Sequence, residues 1–166
     1  MSGYDSALTI FSPSGELLQV DYAAAAVKLG QCTIAIRCKD CVLYGVVKSG
    51  VSKLQVPGTI NKIHKIDRNI TTAFAGLNAD ARVLMNQARV ECQSYKLNYE
   101  DDPTIEYMAR HISSILQKYT QKGGARPFGL SMYVAGMSTS GKPHKLSQSK
   151  KHFLVFFEFL AFRAHV

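Results

Sequence analysis

The sequence predicts an α+β fold on three observations. Short apolar runs rich in Ile and Val come in pairs split by polar turns. Two longer segments repeat their apolar residues at three- and four-residue steps, as one face of a helix requires. After a Gly-rich break, strand character returns. A chain of 166 residues with 46% hydrophobic content buries one core and reads as one domain. With 19% charged residues and eight each of Tyr and Phe, the composition is globular rather than disordered.

The chain opens as an extended arm, Tyr4 to Phe11, closed by Ser12-Pro13-Ser14-Gly15, in which Pro13 presets φ and Gly15 accepts a positive φ. From Leu17 to Lys28 the Ala-rich run favours helix, with Gly30 placed as its stop. The runs Cys32 to Arg37 and Cys41 to Val47 pair as a first hairpin, and Lys62 to Asp67 with Ile70 to Ala75 as a second, divided by Asp67-Arg68-Asn69. Ala81, Leu84, Met85, Ala88, Cys92 and Tyr95 then mark one face of a long helix over 79–97. Ile105, Met108, Ala109, Ile112, Leu116 and Tyr119 mark a second over 104–119, with Asp102-Pro103 as its cap and first position. A short acidic loop joins the two, which predicts an antiparallel pair lying on the sheet. Past Gly123-Gly124, the run Gly129 to Gly136 is a strand, and the turn Ser138 to Gly141 calls for a partner strand after it.

The net charge of +8 is unevenly placed: 15 Lys/Arg stand against 11 Asp/Glu up to Gly141, and 5 against 1 in the last 25 residues. The basic excess of the tail, with Lys142, Lys145, Lys150 and Lys151, reads as a solvated terminus rather than a nucleic-acid face. A basic helix, an aromatic RNA-binding strand motif and a zinc framework are all lacking, so no nucleic-acid partner is expected. The first residues show no secretory leader pattern. The longest apolar stretch, Phe153 to Phe162, is half of what a membrane span needs and is broken by Glu158, so no membrane partner is expected either. Cys32, Cys38, Cys41 and Cys92 suit a reducing compartment. Cys38-Lys39-Asp40-Cys41 has the C-x-x-C spacing, but no second ligand pair and no helix start accompany it, and it reads as a tight turn between apolar runs.

Several strings, in order, resemble the alpha-type subunits of the proteasome: Tyr4-Asp5, Phe11-Ser12-Pro13, Gln19-Val20-Asp21-Tyr22-Ala23, Ala26-Val27-Lys28, Phe74-Ala75-Gly76-Leu77, Ala79-Asp80-Ala81-Arg82-Val83 and Arg126-Pro127-Phe128-Gly129. Glu91-Cys92-Gln93-Ser94 and Lys53-Leu54-Gln55 most resemble the alpha type-7 branch. The resemblance implies a four-layer αββα sandwich of the N-terminal-nucleophile hydrolase class. It covers 1–150, of which 1–30 are arm and first helix, while 151–166 form a divergent apolar and basic tail. Family members continue with more strands and helices that cover the second face, so the sandwich is expected to be incomplete at its C-terminal side, with one face bare and the tail prone to pairing with other chains.

The resemblance further implies a non-catalytic subunit of the 20S core. Such subunits form seven-membered rings with other alpha subunits, stack on beta rings, gate the pore and receive activator C-terminal tails in ubiquitin-dependent and other protein degradation. They are cytoplasmic and nuclear, and no cofactor or metal is implied. Tyr4, Asp5, Pro13 and Tyr22 match the gate cluster, and Lys62 matches the lysine that meets the terminal carboxylate of activator tails. A Pro-set turn as hinge, with a phenol and a carboxylate to latch the arm, makes a switch rather than a catalyst. Ser6 stands where the family usually has Arg, which changes the charge pairing of the arm.

An active peptidase of this class needs a Thr as residue one, whose free amine serves as base. Here Gln31 and Cys32 occupy the corresponding start and Thr33 is displaced, so no catalytic residue is expected. His64 and His111, without a carboxylate at ligand spacing, read as structural, as do the helix residues Met85 and Met108. Ser49-Gly50-Val51-Ser52 lacks the G-x-S-x-G order of a nucleophile elbow.

Overall fold

A computed structural model describes residues 8–39, 41–48, 53–137 and the backbone course of 143–149. Tyr4, Asp5, Ser6, the turn Ser138 to Gly141, Lys142, Lys150, Lys151 and the run Phe153 to Phe162 lie outside the described residues. In chain order the elements are α1 (Leu18–Lys28), β1 (Thr33–Arg37), β2 (Val42–Val46), a 3-10 turn (Pro57–Thr59), β3 (Ile63–Lys65), β4 (Ile70–Gly76), α2 (Asn78–Tyr99), α3 (Ile105–Gln121), β5 (Leu130–Met137) and β6 (Pro143–Ser149).

Both predicted hairpins form, and the expected partner strand after β5 is β6. The order β3-β4-β5-β6 makes one antiparallel sheet, and β1 with β2 a separate two-stranded one. Strand alternation sorts the larger sheet into two faces. Phe74 stands opposite Met132 and Ile70 opposite Gly136. On that face Ile70, Phe74, Leu130, Met132 and Val134 are buried in one cluster with α2 and α3. Ala73, Tyr133 and Ala135 point the other way and are buried as well. The β1–β2 hairpin meets the larger sheet there: the Tyr44 hydroxyl donates to the Thr71 carbonyl at 3.0 Å and the Thr33 hydroxyl to the Phe74 carbonyl at 2.9 Å. Burial raises the pKa of Tyr44, consistent with a phenol held neutral between the layers.

The described residues thus build helix layer, sheet and hairpin layer. Ile34 and Ile36 of β1 and Leu43 of β2, on the hairpin's outer side, are about half exposed, and no described element covers them.

The helix faces follow the predicted spacing. Ala81, Leu84, Met85, Ala88 and Cys92 of α2 and Ile105, Met108, Ala109 and Ile112 of α3 are buried. Each large apolar side chain so removed from water contributes about 1.5–3 kcal/mol. The pair is antiparallel, because the Tyr95 ring packs at a tilt against Tyr107 while Glu91, one turn earlier, faces His111, one turn later. The Cys92 and Met108 sulfurs meet at 3.5 Å between them.

One expected detail is wrong. Asp102-Pro103 does not start α3. Thr104 is the N-cap, its hydroxyl oxygen accepting from the Tyr107 N–H at 3.2 Å. Asp102 is drawn to a full charge instead: it sits 2.9 Å from the Lys96 ammonium, which also reaches Asp67 at 2.6 Å, and it accepts from Asn69 at 2.8 Å. Charge-assisted bonds outcompete a neutral N–H, so the carboxylate clips the end of α2 to the β3–β4 turn and leaves capping to the hydroxyl. Thr104→Ala is expected to lower stability by about 1 kcal/mol in urea denaturation.

Candidate gate and docking site

The turn that carries Pro13 is locked by its first residue. The Ser12 carbonyl accepts from Gly15 at 2.8 Å, the Ser12 N–H donates to Glu16 at 2.8 Å, and the Ser12 hydroxyl accepts from the Glu16 N–H at 3.0 Å. Gly15 has φ +81°, as the turn predicts. Pro13 itself is exposed.

The position of α1 is set by close backbone approach. A Cβ on Gly30 would lie 2.5 Å from the Gly76 nitrogen, and one on Gly129 would meet Leu77 at 2.9 Å and Ala26 of α1 at 3.5 Å. Gly30 is therefore more than the helix stop the sequence suggested: α1 ends at Lys28, and Gly30 lets the chain pass directly over the end of β4. Val20 is the buried residue of α1, and Tyr22 is half exposed.

Asp80 fixes the other side of this junction. In the first turn of α2, its buried carboxylate accepts from both terminal nitrogens of Arg126, at 2.8 and 2.7 Å, and from the Gly129 N–H at 3.0 Å. The bonds to the guanidinium hold its carboxyl below the usual carboxylate range. In the sequence Asp80 and Arg126 stood out only as parts of family-like strings. An acid in a first helical turn is common enough as a dipole partner to hide this second task.

Lys62, the first residue of the predicted run Lys62 to Asp67, lies just before β3, which begins one residue later. It is 5% exposed, and burial lowers its pKa. Its carbonyl accepts from the Phe74 N–H at 3.2 Å, which binds the backbone into the sheet. Among the described residues no carboxylate is paired with the Lys62 ammonium. Next to it, His64 Nε2 is 2.9 Å from the Asn61 carbonyl and its ring stacks on Phe74, a structural role as expected. His111, by contrast, does have a carboxylate nearby: Glu91, across the helix pair at 3.8 Å. The spacing along the chain hid it, because the two belong to different helices. Glu91 also accepts from the Tyr107 hydroxyl, which pushes that phenol up to about 12.

The predicted set is therefore split between elements: Pro13 in the turn before α1, Tyr22 on α1, and Lys62 beside β3. Tyr4 and Asp5 fall outside the described residues. Thr33, the residue nearest to a nucleophile position, opens β1 with its hydroxyl donated to Phe74 and its nitrogen in a peptide bond to Cys32.

Comparison with known proteins agrees with this geometry. Residues 27–148 match the model of the proteasome subunit family, and residues 4–26 match the N-terminal signature of its A-type members. Similar proteins include the alpha type-7 proteasome subunit of Caenorhabditis elegans, 52% identical over 143 residues, which is 86% of this chain and 56% of that protein. The alpha type-7-1A proteasome subunit of Drosophila melanogaster is 50% identical over 84% of this chain and 56% of its own length. The alpha type-4 proteasome subunit of Saccharomyces cerevisiae is 46% identical over 90% of this chain and 59% of its own. The chain thus spans little more than half the length of the curated relatives it matches. With a signature over its first helix, a family match over both hairpins and the helical pair, and relatives of alpha type, the chain belongs to the proteasome subunit family, among the alpha-type subunits.

Proposed function

We propose that this chain acts as a non-catalytic alpha-ring subunit of the 20S proteasome core, with other alpha subunits and the beta ring as partners. Its work is to help build the ring, to hold a pore-gating arm and to receive activator tails during intracellular protein degradation. The observation that carries the reading is Lys62, a buried cation with no acidic partner among the described residues. An ammonium partly withdrawn from water without a nearby counter-charge is disfavoured in its charged form, and an incoming carboxylate offsets that. A terminal carboxylate of a partner tail supplies the missing charge. Catalysis has no comparable support. Cutting before Thr33 to free an amine would remove α1, whose seat on Gly76 and Gly129 is part of the fold.

In the arm, Pro13 serves as the hinge and Tyr22, with Tyr4 and Asp5, as the latch. Cytoplasmic and nuclear localisation belongs to the same reading, and imaging of the tagged chain checks it.

Lys62→Met tests the docking role by giving opposite signs in two measurements. Removing this partly desolvated charge is expected to stabilise the chain slightly in chemical denaturation. The same change is expected to abolish binding of activator-tail peptides to assembled rings. If peptides bind the variant rings as they bind the unaltered ones, Lys62 is not the docking cation. The pH dependence follows from the lowered pKa. The partly desolvated ammonium destabilises the fold at pH values below the folded pKa, and that penalty fades as pH rises through it. Peptide binding needs the charged form, so it is expected to weaken at lower alkaline pH than a solvated lysine would allow.

A further inference from the structure

The C-x-x-C of this chain does not lie at a helix start, yet the hairpin sets its two cysteines opposite each other. The last register pair of β1 and β2 is Arg37 opposite Val42, so Cys38 and Cys41 are the next pair, and the Cys38 N–H donates to the Cys41 carbonyl at 2.8 Å. Residues opposite each other in an antiparallel ladder project to the same face. In a hydrogen-bonded pair their Cα atoms stand about 5.5 Å apart, inside the roughly 4.4–6.8 Å window that a disulfide spans. Cys41 is exposed and Cys38 half-buried, so reagents reach the pair, whereas Cys92 is buried in the core.

We propose that Cys38 and Cys41 form an oxidation site that closes to an intrachain disulfide across the end of the β1–β2 hairpin, with a small-molecule disulfide such as oxidised glutathione as the oxidant. The Cys41 thiolate, the more exposed, attacks one glutathione sulfur, forming a mixed disulfide and expelling one glutathione thiolate. The Cys38 thiolate then attacks Cys41 Sγ, forming the Cys38–Cys41 bond and releasing the second glutathione. The two protein thiols lose two electrons and two protons, and oxidised glutathione gains both.

Opposed residues usually hold their Cβ atoms about 4.5–5.5 Å apart, while a disulfide needs about 3.5–4.5 Å. Closure therefore draws the hairpin end together, and a bond formed with such strain at an exposed position is readily reduced. The pair is accordingly a reversible redox site and not a structural staple. This assignment does not depend on the ring-subunit reading.

The test is to equilibrate the full native chain, as wild type, Cys32→Ser and Cys41→Ser, in glutathione buffers of stepped ratio, followed by intact mass and non-reducing peptide mapping. Wild type and Cys32→Ser are expected to yield a peptide joined at Cys38 and Cys41, in proportion to oxidised over squared reduced glutathione, and Cys32→Ser, which lacks the exposed Cys32, to lose two hydrogens with no adduct. Cys41→Ser is expected to stop at a single glutathione adduct on Cys38. Phenylarsenoxide, which bridges two neighbouring thiols, is expected to add once to the unaltered hairpin and to resist displacement by monothiols, and to be lost from Cys41→Ser. Glutathione adducts that persist on Cys38 or Cys41 of the wild type, chains cross-linked to each other, or no oxidation of the pair at any ratio would each overturn the proposal.

Discussion

Gly76→Ala is expected to destabilise the chain by about 3–5 kcal/mol. Gly76 has φ +119°, a conformation that residues with a Cβ rarely adopt. The added carbon would lie 2.3 Å from the Gly129 carbonyl oxygen and 2.8 Å from the Leu130 Cα, both backbone atoms of the neighbouring strand that cannot rotate away. Relief requires β4 and β5 to part where the Leu77 N–H bonds Gly129 and where Gly30 crosses, so the seat of α1 is lost with it. Urea denaturation measures the stability loss. Faster proteolysis between α1 and β1 reports the local effect, and in a ring the same change is expected to release the arm that α1 carries.

Asp80→Ala comes next, at about 3 kcal/mol. It strands the Gly129 N–H, a buried donor, and releases Arg126, whose guanidinium is mostly exposed and recovers water. The loss therefore comes mainly from the donor left unpaired and from the junction it held, not from the ion pair alone. Asp80→Asn keeps an acceptor for Gly129 and is expected to lose less, which separates the two causes. The sign of the pH dependence follows from a carboxyl held below its unfolded value. Its stabilising contribution is complete above the unfolded carboxylate range and is lost as pH falls through the folded pKa. In the alanine variant that acid-side loss is expected to shrink, as denaturation midpoints between neutral pH and pH values below the ordinary carboxylate range will report.

Local pattern was enough for the elements. Alternating Ile and Val runs around short turns, and apolar steps of three and four, gave both hairpins and both helices within a few residues, and α2, α3, β4 and β5 each bury one face in one continuous core. What stayed hidden depended on residues far apart in the chain. Asp80 and Arg126 are separated by 46 positions, and their bond exists only because α2 starts beside the loop that enters β5. Gly30 and Gly76 read as separate punctuation until α1 is seen lying on the end of the sheet. The cap of α3 was misplaced for a related reason: Lys96, on the preceding helix, claims the carboxylate that local rules gave to the helix start. For the site, the sequence could assign Lys62 only by likeness. Its burial and its lack of an acidic partner among the described residues are properties of packing that no spacing encodes.

The claim that most of this depends on is that the chain is a ring wedge and not a hydrolase, and incorporation tests it most directly. Affinity-tagged chain is co-expressed with the other alpha subunits and the purified assembly is read by native mass spectrometry, with peptide hydrolysis measured on the same fractions. The account predicts one copy of the chain per alpha ring, its N-terminus uncut before Thr33, and no hydrolysis from rings that lack beta subunits. A chain that stays monomeric beside complete rings, or one that begins at Thr33 and cleaves peptides by itself, would contradict it.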